Sequence, residues 1–447
     1  MSTRATWLTA AGAACLAFAV RLDGAIHFAF WQDEVASARA IAQSTPVGVA
    51  HQVARTEATP PLWYWLGWLV HSVGVPMHDV RIVSALAGAL LAGAVVVYAR
   101  TLVPLWAAAL AGVAVSLGYQ LVFHGRELRA YELHALLSVL LAIAAARRRP
   151  VVLGLVVAAG ALTNYFFLLS VAAVLLWLWT SAHARARRRP LTVAVLAGLV
   201  PFAAWIPVLA FQYRHHRASF IGAFRGHDVL TEYWSLFSRG QHGTAAAIAL
   251  LVVILAGSAV LAISDLGRLC AFLAVVPYVI AAAIWLAGPR IFDVRNLIGV
   301  APFAAIAVVA LLALLPRPAG LAAGAAALAL LVVGYVADNR RGPIPYDRIA
   351  ASLSAAGWTA ADPIVVHGDF FSFRSPLEWY LPNQPALTLG VPRSVCPRVF
   401  VVVHRHVRRR VRARPHGGRL LVATRGHGPC VRAVPEASIR SQLARVP

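Results

Sequence analysis

Apolar segments long enough to cross a lipid bilayer recur along the chain up to about residue 337. They lie near residues 5–22, 82–102, 103–121, 131–146, 191–211, 244–264, 269–287, 297–315 and 320–337. A helix needs about 20 predominantly apolar residues to span the hydrocarbon core. Of the 447 residues, 60% are hydrophobic and 13% are charged, whereas a soluble domain has about 25% charged residues. The sequence therefore predicts an α-helical polytopic membrane protein.

One apolar stretch, residues 151–181, is longer than one spanning helix and shorter than two. Arg-rich sequences flank it, ARRRP at 146–150 and ARARRRP at 184–190. Cytoplasmic loops carry an excess of arginine, so both flanks are expected on the cytoplasmic side. We therefore predict two short helices with a turn near Asn164, and eleven spans in total. The first segment is expected to stay as an anchor, with the N-terminus in the cytoplasm.

The acidic residues are distributed unevenly in this topology. Ten of the eleven that precede residue 338 fall on the outer side or at its boundary, and only Asp265 falls inside. Acids contribute little to membrane orientation, so this asymmetry is a separate observation from the arginine pattern. It indicates that polar chemistry is gathered on the outer face.

The composition changes near Asp338, where the long apolar segments end. The tail combines a helical pattern with short strand-like runs such as RVFVVVHRHV and GRLLVATRG. We predict a transmembrane domain over residues 1–337 and a small α/β domain over residues 338–447, which an odd number of spans places outside the cytoplasm. Cys396 and Cys430 lie in this tail, and an extracytoplasmic location would permit a disulfide between them.

The net charge of +23 does not indicate a nucleic-acid partner. Its arginines cluster between apolar segments and in the tail, where membrane topology accounts for them. Neither a Walker sequence nor a GxGxxG motif after a strand is present, so no nucleotide site is predicted. The lipid bilayer is the partner that this composition implies.

The first outer loop, residues 23–81, contains FWQDE at 30–34 and TEATPPLWYW at 56–65. Asp33 and Glu34 are either a solvated helix start, favoured by the helix dipole, or a general base at the membrane surface. Glu57 has the same two interpretations and could also support a divalent metal. We expect the aromatic stretch to form an amphipathic helix in the headgroup region, anchored by Trp63, Tyr64, Trp65 and Trp68.

The sequence FHGRELRAYELH at 123–134 gathers polar groups at the outer end of a span. In a continuous helix, Glu127, Tyr131 and His134 would share one face, and Arg129 would pair with Glu132. Snorkelling side chains and local ion pairs are the alternative to a polar functional cavity. The functional interpretation makes Arg126 and Arg129 ligands of a phosphate group, because guanidinium matches phosphate oxygens.

A second cationic segment, GPRIFDVRNLIGV at 288–300, places Arg295 at a span entrance, where it could face a lipid phosphate. The histidines of the chain lack spacings such as HExxH that specify a metal site. The sequence therefore requires no cofactor, and a divalent metal stays an open alternative.

Taken in order, these motifs resemble the GT-C glycosyltransferases of the protein-mannosyltransferase and lipid A aminoarabinose-transferase type. The acidic pair, PPLWYW, RIVSALAGALLAGAVVVYAR, RELRAYEL and RNLIGVAPFAAIAVVALL carry the resemblance over most of residues 20–315. It implies a GT-C-like membrane domain in a bacterial plasma membrane. It also implies inverting transfer of one sugar, a hexose such as mannose or a pentose, from a polyprenyl-phosphate donor to a protein, lipid or glycan acceptor outside the cytoplasm.

The resemblance also implies roles for individual residues. Asp33 matches the family's base, with Glu34 as the alternative, and Glu57 matches a second loop carboxylate. Ala58 stands where the family often has a basic residue, and Asn296 stands where it commonly has tyrosine. Part of the binding of the donor phosphate must then come from elsewhere, and Arg126, Arg129 and Arg295 are the candidates. His124, Glu127 and Tyr131 are candidate supporting residues.

Two other functions fit parts of the sequence. A transporter or flippase of a lipid-linked substrate would place charges and broken helices near the bilayer midplane, often in repeated halves. The interrupted stretch 151–181 favours it, whereas the charges at one boundary and the lack of a repeat do not. A membrane scaffold with an outer binding domain would need no acid and arginine constellation.

Overall fold

Nearly all regular structure in the chain is helical, in a computed structural model that describes residues 3–215, 221–238, 244–341, 346–355, 364–366, 370–381, 399–403 and 420–424. The first ten helices are α1 (Thr3–His27), α2 (Gln32–Ile41), α3 (Pro46–Thr56), α4 (Leu62–Ser72), α5 (Ile82–Ala99), α6 (Leu105–Leu117), α7 (Tyr119–Gly125), α8 (Tyr131–Ala146), α9 (Pro150–Ala161) and α10 (Phe167–Thr180). The others are α11 (Arg188–Ala203), α12 (Ile206–His215), α13 (Gly226–Phe237), α14 (Thr244–Ala262), α15 (Asp265–Leu286), α16 (Ala301–Leu312), α17 (Arg317–Arg341), α18 (Tyr346–Ala355) and α19 (Phe370–Tyr380). Short 3-10 turns cover Asp79–Arg81, Arg185–Arg187 and Ile298–Val300.

Several helices are long and apolar enough to cross a membrane. Within the described residues, five qualify by length and composition, or up to seven if each of two bent helix pairs is one span. The five segments are Thr3–His27, Asp79–Ala99, Thr244–Ala262, Asp265–Leu286 and Arg317–Ala337. The chain is therefore a multi-pass membrane protein. The count of eleven stays a prediction, because segments such as Tyr131–Ala146 and Pro150–Ala161 are shorter than an ordinary span.

The ambiguous stretch 151–181 forms two helices, as the flanking arginines predicted. Helix α9 ends at Ala161 and helix α10 begins at Phe167. The side-chain oxygen of Asn164 accepts a hydrogen bond from the backbone N–H of Phe166 at 2.9 Å, which is a turn that asparagine favours. Gly160 allows the two helices to approach, because a Cβ at this position would overlap the Phe167 ring.

Helices α1, α5, α6 and α8 enclose Arg21, a fully buried cation. Its guanidinium donates to the backbone oxygens of Val115 and Ser116 at 3.3 and 3.2 Å. These carbonyls lie in the last turn of α6, just before a bend of 55° into α7, where helix carbonyls lack helical partners. Gly88 and Gly125 leave the space for Arg21, because a Cβ at either position would overlap its side chain.

Internal contacts divide the chain into two units. The first comprises Met1–His27 and Ser37–Arg341, and the second comprises Phe28–Ala36 and Gly342–Pro447. Three strands of the second unit, β1 (Ile364–Val366), β2 (Val399–Val403) and β3 (Leu420–Thr424), form one sheet in the order β1-β2-β3. β1 pairs parallel with β2 in the register Ile364↔Phe400, and β2 pairs antiparallel with β3.

The C-terminal α/β domain and the boundary between residues 337 and 338 stay predictions. Much of the tail lies outside the described residues, including Cys396 and Cys430, the two candidates for a disulfide.

Candidate functional site

The two acids of FWQDE have different environments in the first turn of α2. The side chain of Glu34 is 1% exposed, and its Oε2 accepts a hydrogen bond from the backbone N–H of Trp31 at 3.3 Å. Asp33 is half-buried. The helix-start interpretation therefore describes Glu34, which caps its own helix, and Asp33 is the acid with more access to solvent.

The segment before Asp33 packs within the second unit. The backbone N–H of Phe30 donates to the hydroxyl oxygen of Tyr380 at 2.7 Å. The Phe30 ring also meets the edge of Trp379, with centroids 5.9 Å apart. Sequence reasoning missed both partners, which lie at the end of α19, because no local pattern links residue 30 to residues 379 and 380.

In the first unit, Arg129 joins three parts of the first outer loop. Its Nη1 donates to Glu57 Oε2 at 2.7 Å, to Ser37 Oγ at 3.0 Å and to the Tyr64 hydroxyl at 3.5 Å. The Tyr64 hydroxyl also lies 2.9 Å from Thr59 Oγ1. Burial raises the pKa of Tyr64 well above its usual range although the Arg129 guanidinium opposes the shift, so Tyr64 remains a neutral phenol.

Arg126 is held by residues of helices α1 and α17. Its Nε and Nη2 donate to the backbone oxygen of Val20 at 3.1 and 2.6 Å, and Nη2 also donates to the Tyr335 hydroxyl at 3.0 Å. The guanidinium carbon lies 5.4 Å from the centroid of the Tyr335 ring. Burial lowers the pKa of Arg126 from its ordinary value, and the contact with Tyr335 opposes this shift. The hydroxyl and the ring face of Tyr335 therefore both stabilise the buried cation.

His124 and Glu127 form a buried pair next to these arginines. His124 Nδ1 lies 2.8 Å from Glu127 Oε2, and the imidazole is tilted against the Tyr131 ring at 4.3 Å between centroids. Arg295 and Arg129 also act electrostatically on this imidazole. The structure therefore brings together His124, Glu127, Tyr131 and two of the predicted phosphate ligands.

Arg295 is more accessible than Arg129. Its side chain is 19% exposed, whereas that of Arg129 is 9% exposed. Arg295 Nε lies 3.2 Å from Asp293 Oδ1. The neighbouring Asn296 donates from Nδ2 to the backbone oxygen of Ile291 at 2.9 Å, so it stabilises the loop that carries Arg295.

The predicted helical face and ion pair in residues 123–134 are wrong. Helix α7 ends at Gly125 and α8 begins at Tyr131, so Glu127 lies between helices and shares no helical face with Tyr131. Arg129 pairs with Glu57. Glu132 pairs instead with Arg21 at 3.2 Å, and both side chains are fully buried. The signal for this partner was a single arginine inside the first apolar segment, which sequence reasoning did not use.

The predicted membrane anchoring by the aromatic helix is also wrong for two of its residues. Helix α4 forms over Leu62–Ser72, but Trp63 and Tyr64 are almost fully buried inside the protein. Trp65 and Trp68 are half-buried, and they donate to the backbone oxygens of Pro46 and Gln43. The aromatic face of α4 therefore fixes the first outer loop against α3.

Within the part of the chain that the structure describes, no group of three or more His, Cys, Asp or Glu side chains is placed to bind a metal ion. Glu57, the residue considered as a metal ligand, is paired with Arg129. A divalent metal at Glu57 stays a prediction.

The architecture is similar to that of known membrane proteins, although no family model and no curated protein matches the chain. The apo structure of ArnT from Cupriavidus metallidurans is 14% identical and gives a TM-score of 0.57, covering 94% of this chain and 98% of that chain. The structure of the same protein bound to undecaprenyl phosphate gives a TM-score of 0.52 at 14% identity, covering 95% and 98%. This similarity confirms the predicted GT-C-like helical fold.

Proposed function

We propose that this chain is an integral-membrane glycosyltransferase that moves one sugar from a polyprenyl-phosphate donor to an acceptor outside the cytoplasm. The observation that carries the proposal is the buried network around Arg129, which joins the first outer loop to residues 124–132. The similarity in fold to ArnT, which has been solved with undecaprenyl phosphate, supports a lipid-phosphate ligand for this network. The proposed location is a bacterial plasma membrane, with the N-terminus in the cytoplasm and the tail outside.

The proposed reaction needs a base and a cationic site. The acceptor hydroxyl attacks the anomeric carbon from the face opposite the phosphate, and its proton passes to the Asp33 carboxylate. The bond between the anomeric carbon and the phosphate oxygen breaks, and its electron pair stays on the departing polyprenyl phosphate. Guanidinium groups stabilise the charge that develops there. The configuration at the anomeric carbon is inverted.

The burial of the two acids supports Asp33 as the base. Glu34 is committed to the N–H of Trp31 and is almost fully buried, so it is poorly placed to receive a proton from an incoming substrate. Asp33 is half-buried in the first turn of α2. We assign Asp33 to proton transfer and Glu34 to the start of the helix.

The arginines divide the binding of the donor phosphate in this proposal. Arg295 is the more accessible cation and makes the first contact with the lipid phosphate. Arg129 exchanges part of its pairing with Glu57 for the phosphate, since Glu57 keeps the buried cation neutralised until the donor arrives. Arg126, which is fixed by Val20 and Tyr335, supports the segment from its other end.

A transfer assay with the purified protein in lipid vesicles tests the proposal. The donors are radiolabelled undecaprenyl-phosphate mannose and undecaprenyl-phosphate arabinose, supplied with a membrane extract as the source of acceptor. We expect Asp33→Asn to lower the transfer rate at least about 100-fold, the usual contribution of a general base. Glu34→Gln, which keeps an oxygen acceptor for Trp31, is the matched control and is expected to retain most activity. Full activity of Asp33→Asn would refute the assignment of the base.

A further inference from the structure

The contact between His124 Nδ1 and Glu127 determines whether the other ring nitrogen, Nε2, donates or accepts a hydrogen bond. An ionised carboxylate only accepts hydrogen bonds, so the proton between His124 Nδ1 and Glu127 Oε2, 2.8 Å apart, is carried by Nδ1. In a neutral imidazole the other nitrogen is then an acceptor with a lone pair. Nε2 of His124 is therefore oriented as a hydrogen-bond acceptor.

This acceptor is buried. His124 is 3% exposed, and its Nε2 has no hydrogen-bond partner among the residues that the structure describes. A buried polar atom left without a partner is unfavourable, because it has lost its hydrogen bonds to water. The tilted contact with Tyr131 and the pairing with Glu127 hold the ring in this orientation. A donor group from a ligand would satisfy Nε2.

The neighbouring charges restrict which ligand this can be. Burial of the ring opposes a second proton on the imidazole, and the nearby Arg295 and Arg129 add to this effect. A neutral ring with a free lone pair repels the oxygens of a phosphodiester, which has no hydrogen to donate. A hydroxyl group has one. In a polyprenyl-phosphate sugar, hydroxyl groups lie directly beside the phosphate that the arginines attract.

We infer that Nε2 of His124 accepts a hydrogen bond from a hydroxyl of the donor sugar, beside the phosphate bound by Arg129 and Arg295. This inference rests on the proposed function and deepens it, because it names a residue that distinguishes the sugar-bearing donor from the bare lipid phosphate. The role is binding and not proton abstraction, since burial of the ring disfavours the imidazolium that a base would become.

The experiment measures binding and so does not depend on turnover. The purified protein in lipid nanodiscs is titrated with undecaprenyl-phosphate mannose, undecaprenyl-phosphate arabinose and undecaprenyl phosphate. His124→Gln keeps an oxygen acceptor near the position of Nε2, whereas the shorter His124→Asn does not reach it. We expect His124→Asn to weaken the better-bound sugar donor about tenfold and to leave undecaprenyl phosphate unchanged. His124→Gln is expected to bind the donor within about threefold of the unmodified protein.

Deoxy analogues of the better-bound donor then identify the hydroxyl. Removing that hydroxyl should weaken binding to the unmodified protein about tenfold and should cause no further loss in His124→Asn. If every analogue loses the same affinity in both proteins, Nε2 meets only water and the inference is wrong. It is also wrong if His124→Asn weakens undecaprenyl phosphate as much as the sugar donor, or if neither sugar donor distinguishes the two variants.

Failure of the proposed function gives a different result. Selective loss of sugar-donor binding in His124→Asn, together with no transfer by the unmodified protein, would keep the sugar site and reject the glycosyltransferase. Normal transfer with no effect of His124→Asn on donor binding would reject only the sugar contact. Thermal unfolding of both variants in nanodiscs checks that each is folded.

Discussion

The segments that carry the proposed base and the proposed cations make different kinds of contact in the structure. Residues 30–34 include a neutral hydrogen bond from Phe30 to Tyr380 and a contact of the Phe30 ring with the Trp379 ring. Residues 124–132 are fixed by buried pairs of charged or titratable groups, Arg21–Glu132, Arg129–Glu57 and His124–Glu127.

The difference follows from the chemistry that each segment is proposed to perform. A cation kept out of water needs an anionic partner while no phosphate is bound, because an unpaired buried charge costs several kcal/mol. Asp33 is half-buried, so its carboxylate keeps more contact with water than a fully buried one does. Four sets of variants test this contrast.

Breaking the most buried pair should have the largest effect. Arg21→Met leaves the Glu132 carboxylate unpaired and removes the donors to Val115 and Ser116. We expect a loss of stability of about 3–5 kcal/mol, measured as a lower unfolding temperature in detergent and a low yield of monodisperse protein. Arg21→Met with Glu132→Gln should recover part of the loss. Arg100→Met, a half-buried arginine that bonds a local carbonyl, is the control and should behave as the unmodified protein.

The Arg129–Glu57 pair tests whether the cation is available to a phosphate. Glu57→Gln removes an anionic partner of Arg129, so the variant should be less stable alone. It should bind undecaprenyl phosphate about tenfold more tightly, a gain of about 1.4 kcal/mol. The measurement is the rise in unfolding temperature with added undecaprenyl phosphate. An equal rise in both proteins would show that Arg129 only supports the fold.

The hydrogen bond between Phe30 and Tyr380 tests how the segment before Asp33 is held in place. Tyr380→Phe keeps the ring and removes the hydroxyl oxygen that accepts from Phe30, at a cost of about 1 kcal/mol. We expect a several-fold lower transfer rate, because the change acts on the segment before Asp33. The unfolding temperature of the first unit should be unchanged. Tyr213→Phe, at an exposed tyrosine, serves as the control. A fall in that unfolding temperature would contradict this assignment.

The smallest effect is expected at Glu232, a half-buried carboxylate. No cation is among the groups that shift its pKa. Burial raises the pKa of Glu232 to about 7, and Asp293 and Asp228 raise it further. A raised pKa in the folded state means that stability is highest below the unfolded value and falls as pH rises through about 7. Glu232→Gln should therefore be more stable than the unmodified protein at pH 8, by about 1 kcal/mol after solvent screening.

The same proteins should differ little at pH 5, where Glu232 is largely protonated in the folded state. Unfolding temperatures of both proteins between pH 5 and pH 8 check this prediction. A constant difference across that range would show that the change acts through packing and not through ionisation.

Local patterns were sufficient for the helices and for some of their breaks. The arginines on both sides of residues 151–181 predicted two helices, and Asn164 makes the turn between them. The same reasoning failed at residues 126–130, where the helical face considered for Glu127, Tyr131 and His134 does not form because α7 ends at Gly125 and α8 begins at Tyr131. Arg126 and Arg129 there bond to groups far along the chain, and those contacts favour a turn over the local helical pattern.

By itself the sequence determined that the chain is a helical membrane protein and which outer segments carry its acids and arginines, because hydropathy and charge are read over neighbouring residues. Which charged side chains form pairs depends on the tertiary structure. Arg129 meets Glu57 across 72 positions and Arg21 meets Glu132 across 111. The free energy of such a pair depends on burial and on the loss of water around both groups, and these arise only when distant helices pack.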